Sequence, residues 1–175
     1  MTFLVTKRYT IMAKTTMIKD LANKQLRIIR QFDAPLDWVW RAWTDPKLLD
    51  QWWAPKPWKA ETRSMDFSVG GYWLYSMNGP DGEQHWARAD YKHIVPLESF
   101  QAADSFCDEQ GRIDRDIPGM HWDVRFNPIE AKTTVEVCAT FSTIADLEKI
   151  VEMGFQEGFT AAHGNLDELL GQLVS

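Results

Sequence analysis

The chain has 175 residues, of which 45% are hydrophobic and 25% charged, and its formal net charge is −6. This length and composition are typical of one globular domain with a sizeable core. The negative charge and the lack of basic clusters argue against nucleic acid as a partner, and no apolar run is long enough for membrane insertion.

The N-terminal segment, residues 1–23, has no sequence pattern that clearly indicates a helix or a strand. It is predicted to be an extension that forms an extra strand or a tail, and residues 24–175 are predicted to form the single domain. Lys7, Arg8 and Lys14 interrupt its apolar residues, so the segment does not resemble a signal peptide. We therefore expect a cytoplasmic protein.

The first secure strand is predicted at residues 24–32, where β-favouring residues partly alternate with polar ones. A short helix follows and extends to about Trp43. Asp33 is the predicted N-cap, and Pro35 is tolerated in the first helical turn.

Pro46 ends this helix, since proline disfavours helical geometry in the residue before it. A second short helix is predicted at residues 47–51. The loop WWAPKPW at residues 52–58 follows, and its tryptophans have two open interpretations. They plug the core between helix and sheet, or they line the mouth of a pocket.

Six further strands are separated by turn signals such as NGPDG at residues 78–82. Successive strands joined by short turns predict an antiparallel meander. The six strands are predicted at residues 59–66, 72–77, 84–95, 99–107, 120–126 and 133–141.

A single long helix is predicted at residues 143–173, with Thr143 and Asp146 as a start signal. At 1.5 Å per residue it would be about 40 Å long. Gly154 and Gly158 lie one turn apart on its apolar face. Two interpretations are open: close packing against a sheet, or space for a ligand beneath the helix.

The predicted fold is α+β. A curved antiparallel sheet of about seven strands wraps around the long C-terminal helix, and two short helices follow the first strand. Any gap between this helix and the sheet would be a cavity. All nine tryptophans lie between residues 38 and 122, which indicates a thick aromatic core or an aromatic-lined cavity.

Catalytic and metal motifs are not found. The two cysteines form no CxxC pair, and the four histidines have neither HxH nor HExxH spacing. Gly70-Gly71 lacks the pattern of a phosphate-binding loop, and no serine lies in a GxSxG context. We therefore assign no catalytic residue, metal site or cofactor.

Strand parity places a few polar side chains where they could face the cavity, among them His85, Tyr91 and His121. A histidine beside a carboxylate can act as a general base, because its pKa lies near neutrality. The plainer alternative is a surface or hydrogen-bonded side chain at each position.

Four stretches of the chain together form a family signature: FDAPLDWVWRAWTDPKLLDQWWAP, MDFSVGGYWLY, NGPDGEQHWARADYKHIVP and VEMGFQEGFTAAHGNLDELL. They resemble the START-like superfamily, also called SRPBCC, which includes birch-pollen-allergen-like and polyketide-cyclase-like proteins. Within it, the chain is most similar to bacterial proteins related to the C-terminal domain of the heat-shock protein 90 ATPase activator. The resemblance departs from the usual pattern at Ala54, where glycine is common, and in the long segment before Leu26.

The resemblance implies a helix-grip fold with a cavity for hydrophobic small molecules, and it implies no catalytic motif. The first hypothesis is therefore binding of a hydrophobic small molecule. The alternatives are a cyclase- or hydrolase-like enzyme that uses a pocket histidine or carboxylate, and a protein-binding module with a chaperone partner. A homodimer is a further open alternative.

The predicted pocket residues come from the first helix, the tryptophan loop, the strands and the long helix. They are Trp40, Trp52, Trp53, Trp73, Tyr75, His85, Tyr91, His121, Met153, Gly154, Phe155, Gly158, Phe159 and Ala162.

Overall fold

The computed structural model describes residues 14–175, which form eight strands and four helices. In chain order these are β1 (Thr16–Asp20), β2 (Gln25–Phe32), α1 (Leu36–Thr44), α2 (Pro46–Trp52), β3 (Lys59–Met65), β4 (Tyr72–Asn78), β5 (Gln84–Val95), β6 (Ser99–Cys107), β7 (Met120–Ile129), β8 (Lys132–Thr140), α3 (Ile144–Glu152) and α4 (Phe155–Val174).

The strands form one antiparallel sheet in the order β1-β2-β8-β7-β6-β5-β4-β3. Strands β3 to β8 follow each other as the predicted meander, and β2 joins them by pairing with β8. The α+β helix-grip prediction is confirmed. The sheet has eight strands instead of about seven, because β1 pairs with β2. Strand β1 lies inside the segment predicted to form an extra strand or a tail. The rest of that prediction, residues 1–13, lies outside the described residues.

The predicted long C-terminal helix is two helices, so the prediction of one continuous helix was wrong. Gly154 separates α3 from α4 and has a φ of 93°. Glycine reaches this left-handed conformation without the steric cost that a Cβ brings. The apolar periodicity continues across the break, so the sequence pattern does not reveal it.

The two short helices begin differently from each other. Pro35 is the N-cap of α1 and no side chain caps that helix, so the assignment of Asp33 as the cap was wrong. Asp45 caps α2 by accepting a hydrogen bond from the backbone N–H of Lys47 at 2.9 Å. Pro46 occupies the first turn of α2, where its missing N–H costs nothing.

The core lies between α4 and the face of the sheet that packs on the helices, here called the inner face. Strands β2, β7 and β8 supply β-branched side chains such as Ile28, Val124 and Val137, which are buried. Leu166 and Leu170, in the C-terminal half of α4, are buried in the same cluster. The C-terminal half of α4 is thus closely packed. The side chains from α4 that line the cavity described below come from its first turns.

Candidate ligand-binding site

A cavity of about 450 Å³ lies between the start of α4 and strands β4 to β7, and it opens to solvent at one end. Its walls are mainly aromatic and aliphatic. The lining residues are Trp53, Pro55, Trp58, Tyr75, Met77, His85, Ala87, Asp104, Ser105, Phe106, Ile117, Pro118, Met120, Trp122, Ile150, Met153, Gly154, Phe155, Gly158 and Phe159.

Small residues on both walls leave this space open. On the sheet side, Ala87 of β5 lies between Tyr75 of β4 and Phe106 of β6 in the strand register. On the helix side, a Cβ added to Gly158 would meet only the Cγ of Pro55, at 3.8 Å. Larger side chains at these positions would fill the cavity, as side chains fill most of a protein interior.

Trp53 forms the wall between this cavity and a second, smaller space of about 30 Å³. Its ring centroid lies 5.3 Å from that of Trp73, 5.8 Å from that of Trp122 and 5.8 Å from that of Phe159. The Nε1–H of Trp53 donates a hydrogen bond to the Tyr75 hydroxyl at 3.0 Å. The loop after α2 is thereby held against the inner face of the sheet.

The open end of the cavity carries His85 and Trp58, which stack with ring centroids 5.4 Å apart and an interplanar angle of 17°. His85 is exposed to solvent, and so is Met153 on the opposite side of the cavity. These side chains border the entrance, whereas the deeper walls are formed by buried rings.

Asp104 on β6 is the one acidic side chain among the described residues that line the cavity. Its Oδ1 atom is inaccessible to solvent and has no hydrogen-bond partner within residues 14–175. Burial raises the pKa of this carboxyl to about 7, opposed by a backbone hydrogen bond from Ser105. The protein thus holds an unpaired acceptor, close to its titration point at neutral pH, inside an apolar space.

Two further polar groups face the same interior. Burial, followed by the charge of Asp104, keeps the pKa of Tyr75 well above its ordinary value, so its hydroxyl stays protonated. The Nε1–H of Trp122 is buried and has no partner within the described chain. Among the residues that line the cavity, Asp104 thus carries a carboxyl, Tyr75 a hydroxyl and Trp122 an N–H without a partner in the described chain.

The structure brings together eight of the predicted pocket residues in the larger cavity. Trp73 and Tyr91 line the smaller space, where Trp53 and Tyr75 also contribute. The eight are Trp53, Tyr75, His85, Met153, Gly154, Phe155, Gly158 and Phe159.

The other four predicted residues lie outside both spaces, so their assignment was wrong. Trp40 packs on aromatic rings of the core, with Phe126 at 5.0 Å between centroids. Trp52 is fully buried and donates to the carbonyl of Ala42, and Ala162 is buried in the same core. His121 is exposed on the outer face because successive side chains alternate along a strand.

Sequence reasoning missed Asp104, although β6 contains a signal for it. Phe100 and Phe106 share the parity of Asp104 in this strand, and both face the interior. An acidic residue on the apolar side of an alternating strand is unusual, and a buried charge without a partner is costly. That pattern would have identified it as a candidate functional group.

No group of three or more His, Cys, Asp or Glu side chains within residues 14–175 is arranged to hold a metal ion. None of the helices in this range has the length and apolar character needed to cross a membrane.

Comparisons with known proteins agree with this architecture. The model of the family described as Activator of Hsp90 ATPase homolog 1-like protein matches residues 33–171. A protein from Arthrobacter aurescens, solved by NMR in solution, is 31% identical over 90% of this chain and 91% of that chain, with a TM-score of 0.85. No curated protein matches the chain.

Two crystal structures extend the comparison. Protein Ms6760 from Mycobacterium smegmatis is 29% identical over 89% of this chain and 96% of that chain, with a TM-score of 0.83. CalU16 from Micromonospora echinospora is 17% identical over 90% of this chain and 85% of that chain, with a TM-score of 0.58. The second likeness concerns the fold alone.

Proposed function

The chain belongs to the Activator of Hsp90 ATPase homolog 1-like family, and from this premise we propose that it binds a hydrophobic small molecule in the cavity between α4 and the sheet. The observation that supports this proposal is the cavity itself. Its volume of about 450 Å³ lies within the range of small-molecule sites, and its walls are mainly aromatic and aliphatic with few polar groups.

The energetic basis of binding is burial of apolar ligand surface, worth roughly 25 cal/mol per Å². The rings of Trp53, Trp122, Phe155 and Phe159 supply much of the contacting area. Phe155 and Phe159 stack at 5.5 Å on the helix side, and Trp122 meets Phe159 at 5.5 Å from the sheet side. Rings packed against each other lose little conformational freedom when a ligand binds, so little entropy opposes binding.

The direct test is native mass spectrometry of the freshly purified protein, followed by solvent extraction. We expect a reproducible mass adduct that disappears on denaturation. Titration with the neutral dye Nile red tests the cavity independently of any co-purified molecule. A protein with neither an adduct nor saturable dye uptake would contradict the proposal.

The variant Gly158→Leu links binding to this cavity. Leucine at residue 158 would extend into the cavity, because only Pro55 lies within 4 Å of the added Cβ. Gly164→Leu is the matched control, since residue 164 lies on the same helix, has no atom within 4 Å of its Cβ position and does not line the cavity. We expect dye uptake to be lost in Gly158→Leu and retained in Gly164→Leu. Equal uptake by both would place the dye elsewhere.

General acid–base catalysis is a second candidate function, and Asp104 is the observation that favours it. A carboxyl whose pKa is about 7 can both donate and accept a proton at neutral pH. The test is incubation of the extracted ligand with the protein and with Asp104→Asn, followed by mass analysis. Conversion by the first protein alone would indicate an enzyme, and recovery of unchanged ligand from both would exclude this function for that ligand.

A further inference from the structure

We propose that Asp104 makes the cavity selective for ligands that end in a protonated amine. The ligand is then an organic amine whose apolar body packs against the aromatic walls. This inference rests on the proposed function, since it names the chemical class that the same cavity would take. It follows from the charge of the lining residues, the unpaired state of Asp104 and the rings around it.

The charge of the cavity disfavours anionic ligands. No lysine or arginine is among its lining residues, and Asp104 forms no ion pair with any described residue. A fatty acid or other carboxylate would therefore place its charge beside Asp104, with no lysine or arginine in the lining to pair with it. Two carboxylates at close range disfavour each other's ionised form, so this contact is unfavourable.

The carboxyl of Asp104 requires a donor. Asp104 lines the cavity, its Oδ1 atom has no hydrogen-bond partner in the described chain, and a buried polar atom in that state is costly. A ligand ammonium group would supply N–H donors together with the opposite charge. Charge-assisted hydrogen bonds of this kind are about twice as strong as neutral ones.

The aromatic walls favour a cation for a separate reason. Asp104 shares its lining positions in both spaces with Trp53, Tyr75 and Trp122. The faces of such rings attract ammonium groups, and the attraction grows when water is excluded. A carboxylate and aromatic faces together can thus offset the free-energy cost of desolvating a buried ammonium group. Either feature alone would offset only part of that cost.

A neutral alcohol is the nearest competitor. Its hydroxyl would donate to Asp104, but it would gain neither the charge pair nor the cation–π attraction. We therefore expect affinity to fall in the order amine, alcohol, carboxylate for ligands that share one apolar body.

Three probes that differ only in their polar end test this order: naphthylethylamine, naphthylethanol and naphthylpropionate. Isothermal titration calorimetry at neutral pH should give an amine affinity about tenfold above that of the alcohol, with the carboxylate weakest. Equal or tighter binding of the carboxylate would overturn the inference while leaving a hydrophobic-ligand site in place. Failure of all three probes, together with no Nile red uptake, would instead remove the proposed function.

Two variants assign the effect to Asp104. Asp104→Asn keeps the size and an acceptor oxygen but removes the charge, so the amine should weaken about tenfold towards the affinity of the alcohol. Asp123→Asn is the control, because Asp123 lies on the outer face of β7 beside Arg125 and away from the cavity. An unchanged amine preference in a folded Asp104→Asn protein would overturn the inference.

Discussion

The Nε1–H of Trp53 donates a hydrogen bond to the hydroxyl of Tyr75, with 3.0 Å between the two heavy atoms. This contact joins the loop after α2 to β4 and fixes the wall between the two interior spaces. The position of Trp53, and with it the shape of the cavity, therefore depends on this hydrogen bond as well as on the rings of Trp73, Trp122 and Phe159.

Tyr75→Phe should lower the free energy of unfolding by about 1–2 kcal/mol, because the indole N–H of Trp53 would lose its partner in a partly buried place. Urea denaturation at equilibrium measures this change. Tyr72→Phe on the same strand is the control, since Tyr72 is exposed and on the opposite face. We expect less than about 0.5 kcal/mol for the control. The same cost at both positions would show that the hydrogen bond does not stabilise the wall.

Gly154→Ala and Gly171→Ala should change stability in opposite directions. Alanine at residue 154 must adopt a φ of 93°, which should destabilise the protein by about 1–2 kcal/mol. Residue 171 lies inside α4 with no atom within 4 Å of its Cβ position, so alanine there should stabilise by up to about 1 kcal/mol. Thermal unfolding of the two variants measures the difference. Stabilisation by both would mean that the break between α3 and α4 does not need glycine.

The buried carboxyl of Asp104 should make the protein less stable as pH rises. Its pKa is raised from 3.8 to about 7, so the folded state holds a proton that the unfolded state releases. The contribution of this group to the free energy of unfolding is fully present below about pH 4 and is lost as pH rises to about 7. Denaturation midpoints measured at acidic and neutral pH give the change in unfolding free energy between the two conditions. We expect the fall with rising pH to be roughly 2–3 kcal/mol smaller in Asp104→Asn. An identical pH dependence in the variant would contradict the burial of this carboxyl.

His163 should produce the opposite pH dependence. Burial, followed by the charge of Arg30, lowers its pKa from 6.5 to about 3, so the ring stays neutral in the folded state. Its Nδ1 lies 2.9 Å from the Thr15 hydroxyl, and the charged neighbours in this cluster are Arg30 and its ion-pair partner Asp167. The unfolded state binds a proton below about pH 6.5, so stability from this group is present above that pH and falls as pH decreases.

The free energy of unfolding should fall between about pH 7 and pH 5 in the unmodified protein. We expect this fall to be roughly 2 kcal/mol smaller in His163→Phe. The measurement is urea denaturation at both pH values. His121→Gln is the control, because His121 is exposed on the outer face of β7, and it should leave the pH dependence unchanged. Parallel curves for all three proteins would show that His163 does not stay neutral in the fold.

Sequence patterns predicted most of the sheet. Strands β5 and β6 begin and end where the alternation and turn signals placed them, at Gln84–Val95 and Ser99–Cys107. Period-2 alternation is a local property of the backbone, and turn residues limit it on both sides. The inner-face positions of Trp73 and Tyr75 follow from the same alternation. Tertiary contacts are not needed to see any of this.

Other features could not be read from local patterns. The apolar spacing from Leu147 to Leu166 continues through Gly154, so periodicity suggested one helix where the backbone turns. Trp52 and Trp53 are neighbours in sequence, yet the first is sealed in the core and the second forms the cavity wall. Their opposite roles depend on the residues that packing brings against each ring, which neither residue determines locally.

The sequence by itself determined the order of the strands along the chain, the helix-grip architecture and the aromatic, weakly polar character of the interior, because these depend on periodicity and composition. Only the tertiary structure decided where space remains between α4 and the sheet and which polar group faces it. Ala87, Asp104 and Gly158 are far apart in the chain and meet only when the sheet and helix pack together. The depth of a cavity and the pKa of a carboxyl inside it depend on neighbours that folding brings into contact.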